Sequence, residues 1–416
     1  MSTVPEPAAA QLPELRLRRG EDQRLRAGHL WVFSNEVDTT RTPLVAFEAG
    51  QHVALCNDRG QRLATAYVNP NTLIAARILA RGEQEVDVEF LERRLRTALA
   101  LRSRLYPAGH YRWVFGESDG LPGLVLDRFG DLVVGQIATA GMERLKSTLE
   151  EAIRRALAPA TLLWKNDSAA RAMEGLPEYV ELAWGTAPDA VEVIETQTDG
   201  RELRCITPLG QGQKTGWFFD QAFNRSVLTR FMPQGASVLD VCCYAGGWAS
   251  VAALQGAAHI ACVDSSAAAL EAAALNIKRN RANDAAPEPV CHRGDAFDVL
   301  AQLGAEGQRF DVVVVDPPAF IKRRKDTPQG VAAYRKLNQL ALRLLNDNGL
   351  LVSCSCSHHL TPEALQGAIQ AAARQAVRTV QILYQGGQSP DHPIHPAIPE
   401  TRYLKAFFCR VTHGWG

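Results

Sequence analysis

Cys354 and Cys356 lie two residues apart in "LLVSCSCSHHL" (350–360), and His358 and His359 follow directly. Such a cluster admits four chemistries: zinc ligation, a disulfide, a nucleophilic thiolate, or plain packing. Four ligands within six residues cannot readily surround an ion tetrahedrally, and adjacent histidines tend to diverge, so the spacing argues against zinc. A disulfide between residues two apart would strain an extended backbone. Side chains two apart in a strand face the same way, so Cys354 and Cys356 share a face. Both are small enough to serve as buried hydrophobes, Cys354 above all. Cys356 is nearer the carboxyl end of the strand, where a thiolate can meet a substrate.

A thiolate in that place fits one reaction well. Carbon 5 of cytosine is a poor nucleophile. Addition of a thiolate to carbon 6 makes the ring enamine-like, able to attack a methyl sulfonium, and loss of the C5 proton then expels the cysteine. Asp316 in "VVVVDPPAF" (312–320) ends another apolar run. Pro317 and Pro318 stop that strand and stiffen the loop, and Asp316 is placed to hold the N3 and N4 edge of a pyrimidine. The plainer reading is a turn with a capping aspartate. An Asp-Pro-Pro-x-Phe loop is also close to that of enzymes that methylate exocyclic base amines, with Cys356 then merely buried. A third reading is a non-catalytic RNA-binding or assembly factor that keeps a cofactor fold.

The methyl donor has its own signals. "SVLDVCCYAGGWA" (237–249) reads as a buried strand, a short glycine loop and a helix. Gly246 and Gly247 would let the backbone approach a ligand closely. There is no GxGxxG, which disfavours a dinucleotide. Asp264 ends the next strand, eighteen residues after Gly246, and a carboxylate there can accept both ribose hydroxyls. Asp295 in "HRGDAFD" follows the next element. Glycine loop, ribose carboxylate, third acid and Asp-Pro-Pro, in that order, point to S-adenosylmethionine. The cofactor-facing candidates are Asp240, Tyr244, Ala245 and Gly246 around the loop, Asp264 and Ser265, Asp295 and Ala296, and Asp316. No metal is expected.

The elements that must carry these residues read as α/β. The runs "ASVLDVC", "AHIACVD", "FDVVVVDPP" and "GLLVSCSCS" alternate with alanine-rich helices, the pattern of a doubly wound, mostly parallel sheet. Ligands of such sheets sit beyond the carboxyl ends of strands. Upstream, residues 52–68 hold two apolar runs around Asp58-Arg59-Gly60, a hairpin pattern, and "TLIAARILA" is a further strand. Residues 88–106 take helical spacing, "GLVLDRFGDLVVGQI" turns at Phe129-Gly130-Asp131, residues 143–157 read as a helix, and "TLLWKND" as a strand. The expected divisions are a disordered start (1–12), a small β module (13–86), a central α+β domain (87–197) and the α/β domain (198–416).

The chain has 416 residues, 46% apolar, with 45 lysines plus arginines against 45 acidic residues. That balance gives no global attraction to nucleic acid or membrane, so charge must act locally. Lys322, Arg323, Arg324 and Lys325 follow the Asp-Pro-Pro loop directly, and four cations there suit phosphates flanking a target base or a solvated loop. The five arginines of "LRLRRGEDQRLRAGHLW" are diluted by acids, so phosphate contact and salt-bridged surface both stand. No run approaches the roughly 18 apolar residues of a membrane span, and the N-terminus lacks the pattern of a signal peptide. Nine scattered cysteines without a CxxC suit a reducing compartment, so the expected location is cytoplasmic and no membrane partner is expected.

Four stretches carry a resemblance to the bacterial family of large-subunit ribosomal RNA cytosine-5 methyltransferases: "GHLWVFSNEV", "GESDGLPGLVLDRFGD", "GQKTGWFFDQAFNR" and "DHPIHPAIPETRYLKAFFCRV". They span nearly the whole chain and are far more specific than the glycine loop. The resemblance implies a small β-barrel PUA-like domain that grips RNA, a central EEHEAD-like α+β domain, and a Rossmann-like class I methyltransferase domain with a mostly parallel seven-stranded sheet. It implies S-adenosylmethionine as cofactor and large-subunit ribosomal RNA as partner, with a homodimer as one candidate assembly. It puts the nucleophile in the "SCS" segment, Ser355-Cys356-Ser357, and so on Cys356. It sets Asp220, Gln221 and Arg225 beside the methionine end of the cofactor. The sequence departs from the pattern at His358 and His359, where a smaller residue is expected, and at Ala319, which leaves the acceptor of the C5 proton unassigned.

Overall fold

The computed structural model describes residues 11–209, 215–281 and 288–414. All but the last two residues of the expected disordered start, and Gly212–Lys214 of the third family stretch, lie outside them. Packing divides the chain into two units: residues up to 102 with 113–187 and 394–399, and residues 103–112 and 188–393 with those from 400 on.

The first unit carries two five-stranded sheets. In the N-terminal one, the strands run in the spatial order Glu14–Arg16, Gln51–Cys56, Arg62–Val68, Ile74–Arg81, Trp31–Phe33. An antiparallel bridge between Leu17 and Val37 links the two edges, so the sheet curls into a half-barrel around Leu15, Val32, Val53, Leu55 and Val68. The expected hairpin turns at Gly60, whose φ of +82° suits glycine. The central sheet holds the hairpin Leu124–Phe129/Leu132–Ile137 and the strand Thr161–Asn166, as the apolar runs require. The expected helix over 143–157 is two helices, Ala140–Arg144 and Lys146–Ala156, broken at Leu145. Leu145 is itself buried, so packing sets the break and the spacing does not reveal it.

The second unit is built on a seven-stranded sheet. Its elements are β1 (Ser237–Val241), α1 (Gly247–Leu254), β2 (His259–Asp264), α2 (Ala267–Arg279), β3 (Val290–Arg293), α3 (Ala296–Ala305), β4 (Phe310–Val315), α4 (Thr327–Arg343), β5 (Leu345–Ser355), α5 (Pro362–Ala376), β6 (Arg378–Gly386) and β7 (Lys405–His413). The order is β3-β2-β1-β4-β5-β7-β6. The first five strands of that order pair in parallel, and β7 is antiparallel to both neighbours. Strands covered on both faces read as near-continuous apolar runs, which is why β4 ends in four consecutive valines. Side chains of Ser266, Asp295 and Thr361 cap α2, α3 and α5.

An antiparallel hairpin, Ala190–Thr196 with Glu202–Pro208, packs beside α2. Two asparagines of α2 act as backbone substitutes along it. Asn276 exchanges bonds with Ile206 N (2.7 Å) and O (2.9 Å), and Asn280 with Arg204 N (2.9 Å) and O (2.7 Å). The domain boundary expected after 197 falls in the turn of this hairpin, and residues on both sides of it group with the seven-stranded sheet.

Candidate active site

The carboxyl ends of β1, β2, β4 and β5 bring the candidate residues together. After β1 the chain turns sharply into α1, with positive φ at Cys242 (+62°), Tyr244 (+49°) and Gly246 (+73°). Two non-glycine residues in that region mark a strained turn. It is held by Cys242 N and Cys243 N, which donate to Val263 O at 2.8 and 3.1 Å. Packing restricts both glycines, Gly246 more than Gly247. A Cβ at Gly246 would lie 2.7 Å from Ala273 Cβ on α2, and one at Gly247 would lie 3.2 Å from Arg225 Cδ. Ala245 is buried and its carbonyl accepts from Asn276 Nδ2 at 2.9 Å.

Three carboxylates follow. Asp264 is half-buried at the end of β2; its Oδ2 accepts from Tyr244 N (3.0 Å) and its Oδ1 from Ser266 N (2.9 Å). Each carboxylate oxygen has a second lone pair, which leaves capacity for ribose hydroxyls. Ser265 beside it is exposed. Asp295 is exposed and caps α3 through Phe297 N at 2.9 Å, with Ala296 opening the helix. Asp316, half-buried after β4, receives Gln221 Nε2 (2.9 Å) and Trp248 Nε1 (3.1 Å), both on Oδ2. Burial, aided by the charge of Asp220, pushes the Asp316 carboxyl up to about 6 against these donors.

Two expectations need correction. Asp240 is fully buried; its Oδ2 accepts from Ala249 N at 3.0 Å, and burial raises it to about 7. It positions the first turn of α1 and has no surface for a ligand. Arg225 is also buried, turned to Glu195 of the hairpin, with Nε on Oε2 at 3.0 Å and a second bond from its terminal nitrogen to Oε1. Trp217 Nε1 donates to the same carboxylate at 2.7 Å. Sequence reasoning missed Glu195, thirty residues away, and so gave Arg225 to the cofactor. Gln221 instead reaches the site, as the donor that fixes Asp316. Asn224 sets its orientation by donating to Gln221 Oε1 at 2.7 Å. Asp220 accepts from Tyr403 OH at 2.5 Å.

The two cysteines separate as their register implies. Cys354 is fully buried, and burial pushes its thiol well above the ordinary value. Cys356 follows the last residue of β5, is half-buried, and has its sulfur 4.0 Å from the carbonyl oxygen of Pro317 in the Asp-Pro-Pro loop. The flanking serines are tied to Tyr334 of α4: Ser355 Oγ donates to its hydroxyl at 2.8 Å, and Ser357 Oγ lies 2.9 Å from it. Ile321 N donates to Ser357 Oγ at 3.1 Å, which joins the Asp-Pro-Pro loop to the end of β5. Neither Trp248 nor Tyr334 was foreseen; an aromatic residue in a helix gives no sign of what its polar tip reaches. His358 and His359 are exposed with rings edge to face.

Lys322, Arg323, Arg324 and Lys325 are all exposed, and Arg323 pairs with Asp326 at 3.1 Å. Of the five N-terminal arginines, Arg16, Arg24 and Arg26 are paired with Glu14, Glu36 and Asp22. Salt-bridged surface is therefore the better reading of that stretch.

Comparison with known proteins adds two domain matches, a PUA-like domain over residues 15–81 and a methyltransferase domain over 233–393. Ribosomal RNA large subunit methyltransferase I of Erwinia tasmaniensis is 33% identical over 402 residues, covering 95% of this chain and 98% of that protein. The chain belongs to the ribosomal RNA large subunit methyltransferase I family. The Salmonella typhi relative of the same name is 33% identical over 405 residues, 96% of this chain and 98% of its own. Among solved structures, a methyltransferase complexed with SAH superposes with a TM-score of 0.80 at 19% identity, and a SAM-dependent methyltransferase from Streptococcus mutans with 0.78 at 19%. Each pair covers 96% of this chain and all of the other, and the likeness is one of fold. Among the described residues no helix is long and apolar enough to cross a membrane.

Proposed function

We propose that the chain is an S-adenosylmethionine-dependent methyltransferase that forms 5-methylcytosine in large-subunit ribosomal RNA, through a covalent bond between Cys356 and C6 of the base. Membership of the family supports the ribosomal RNA substrate and the transfer of a methyl group. The observation that carries the cytosine-C5 chemistry is the pair of cysteines: Cys354 is sealed in the core, while Cys356 is half-exposed 4.0 Å from the Pro317 carbonyl.

The residues fit the cofactor. Asp264 keeps lone pairs for a ribose at the end of β2, and Tyr244, Ser265, Asp295 and Ala296 border the same edge. Bound there, S-adenosylmethionine supplies an electrophilic methyl group. Asp316, held by Gln221 and Trp248, grips the pyrimidine. A carboxyl raised to about 6 can donate a proton toward N3 while accepting from N4, which makes C6 more electrophilic. Cys356 Sγ adds to C6 and the displaced electron pair makes C5 the nucleophile. After the methyl group is in place, loss of the C5 proton restores the 5,6 double bond and expels the thiolate. The exposed cations 322–325 serve phosphates on either side of the base.

The test is a ribosomal RNA fragment carrying 5-fluorocytosine, whose C5 substituent cannot leave as a proton. Wild type and Cys354→Ala are expected to form an adduct that survives denaturation, mapped by mass to Cys356. Cys356→Ala should form none and make no 5-methylcytosine. An N-methylated guanine or adenine as product, or an adduct on Cys354, would overturn the assignment.

A further inference from the structure

The first unit holds a cavity of about 560 Å³, within the range of pockets that take small organic ligands. Its walls come from the half-barrel strand Ile74–Arg81, the helix Val88–Leu105 and the turn Gly116–Asp119. Arg81, Arg93 and Arg94 line it, and none of the three makes an ion pair among the described residues. The two acids of the wall are already paired. Asp119 receives both terminal nitrogens of the fully buried Arg102, at 2.6 and 2.8 Å. Glu117 accepts from Trp31 Nε1 at 2.9 Å and lies 3.9 Å from Arg77, which it shares with Glu174. The wall therefore carries an excess of positive charge. Arg81 and Arg93 are exposed, whereas Arg94 is half-buried and fixed in place. Its Nη2 donates to Leu79 O at 2.6 Å, and its guanidinium carbon stands 4.7 Å over the centre of the Phe90 ring. A Cβ at Gly120 would fall on Arg94 Nη1, so the bare glycine leaves the guanidinium its room. Beside it, Ser118 Oγ is buried and has no hydrogen-bond partner among the described residues.

We infer that this cavity is a binding site for a backbone phosphate of ribosomal RNA, with Arg94 and Ser118 as fixed donors and Arg81 and Arg93 as mobile cations at its rim. The inference rests on the reading of ribosomal RNA as substrate and is independent of the chemistry at Cys356. A guanidinium offers five N–H donors in a planar fork, of which Leu79 takes one. The rest match the spacing of two phosphate oxygens. Because Arg94 is held before the ligand arrives, little side-chain freedom is lost on binding. Burial, and then the charge of Arg93, lower Arg94 from its ordinary value, as befits a cation that lacks a counterion. Leu30, Ile78 and Ala98 give the rest of the wall an apolar face, which suits the sugar or base attached to that phosphate. The arginine-rich stretch of the half-barrel is less suited, since Arg16, Arg24 and Arg26 are paired there. Phosphate contacts position a nucleic acid without reading its sequence, so the site anchors the RNA and leaves the choice of base to the α/β domain. A free nucleotide or inorganic phosphate has the same chemistry, and the experiment separates these sources.

The experiment measures binding of the full chain to a fluorescent fragment of large-subunit ribosomal RNA, by anisotropy, over a series of salt concentrations. Arg81→Gln combined with Arg93→Gln removes two exposed charges that hold no ion pair, so the fold should stand, as thermal unfolding can check. This pair should weaken binding about tenfold and flatten the slope of log affinity against log salt by roughly 0.7–1.4, for one or two counterions no longer released from a single strand. Arg19→Gln combined with Arg59→Gln removes the same charge from exposed positions outside the cavity, and should cost clearly less in both readouts. Calorimetry with inorganic phosphate and with AMP, each at about 100-fold below molar strength and lower, should show no binding tighter than millimolar, since one phosphate alone lacks the rest of the strand. A cavity pair that matches wild type in affinity and slope, or that loses no more than the control pair, overturns the inference. Micromolar binding of phosphate or AMP that the cavity pair abolishes, with RNA affinity kept, also overturns it and makes the site one for a small anion. Wild type that binds no ribosomal RNA refutes the substrate reading together with the inference, whereas intact binding and methylation in the cavity pair refute the inference alone.

Discussion

Gly246→Ala separates two roles for the glycine loop. If the glycine is there so that α1 and α2 can approach, the substitution damages the fold. If it is there for the ligand, the substitution damages binding alone. The structure gives two independent costs. At φ +73° an alanine sits in the left-handed region, worth about 1–2 kcal/mol. Its Cβ would also stand 2.7 Å from Ala273 Cβ and 2.9 Å from Ala273 Cα, contacts that a backbone atom cannot relieve by turning a side chain. Forcing a methyl group into packed space costs roughly 1–3 kcal/mol. The sum is a loss of roughly 2–5 kcal/mol, a large share of the stability of a domain. Gly247→Ala is the control. It has no positive φ, and the nearest atoms are Arg225 Cδ and its terminal nitrogen at 3.2 and 3.3 Å, so it should stay within about 1 kcal/mol of wild type. Urea unfolding followed by tryptophan fluorescence, with calorimetry of S-adenosylmethionine on the same samples, measures both. An unchanged urea midpoint for Gly246→Ala together with lost cofactor binding would refute the packing account and restore the ligand-approach one.

Three further outcomes follow from the same geometry. Asp264→Ala should weaken S-adenosylmethionine binding by about 1–3 kcal/mol, the cost of unpaired ribose hydroxyls, and unchanged affinity in a folded variant would remove Asp264 from the site. Replacing Lys322, Arg323, Arg324 and Lys325 by serine should weaken RNA binding and flatten its dependence on salt, because fewer counterions are released; an unchanged slope would make the run a solvated loop. Asp240 has a folded value near 7 against an ordinary 3.8, so the folded protein holds the proton more tightly and wild type loses stability as pH rises from about 4 to 7. Asp240→Asn still accepts from Ala249 N and cannot ionise. Its stability relative to wild type should therefore climb through that window, by at most about 4 kcal/mol, and a pH-independent difference in thermal unfolding would contradict the buried ionisation.

The elements and the edge that carries the site were legible because they depend on local pattern. Strands covered on both faces are largely apolar, so the runs in β1, β2, β4 and β5 stand out, and Asp264, Asp316 and Cys356 lie at or just past the ends of their strands. The split between Cys354 and Cys356 follows from position along one strand. What was not legible depends on residues far apart in the chain. Arg225 looks like a ligand for a charged cofactor until Glu195 is brought against it by the hairpin. Gly246 reads as a glycine that lets a ligand approach, and its contact with Ala273 shows only once α2 is laid across it. The break at Leu145 and the bond from Trp248 to Asp316 come from packing against neighbours that no local spacing encodes.

Lys405 is the clearest case, and its place is a consequence of topology. The parallel strands deliver their last residues to the edge where ligands sit, so a side chain that opens a parallel strand is buried at the opposite edge. β7 runs the other way, so its first residue arrives where β5 ends. Were β7 parallel, the same lysine would begin at the far edge, nine residues and roughly 26 Å away. One reversed strand therefore brings a buried lysine from the C-terminal end of the chain to the Ser357 carbonyl, 48 residues earlier. Ser355, Tyr334 and Ser357 fix that cysteine from the other side, and Ile321 ties it to the loop that bears Asp316. Cys356, Lys405 and the loop of Asp316 are thus held by elements that share one hydrogen-bond network, which is why a loosened Tyr334 should disturb all three at once, whereas Asp264 on β2, outside that network, should not move.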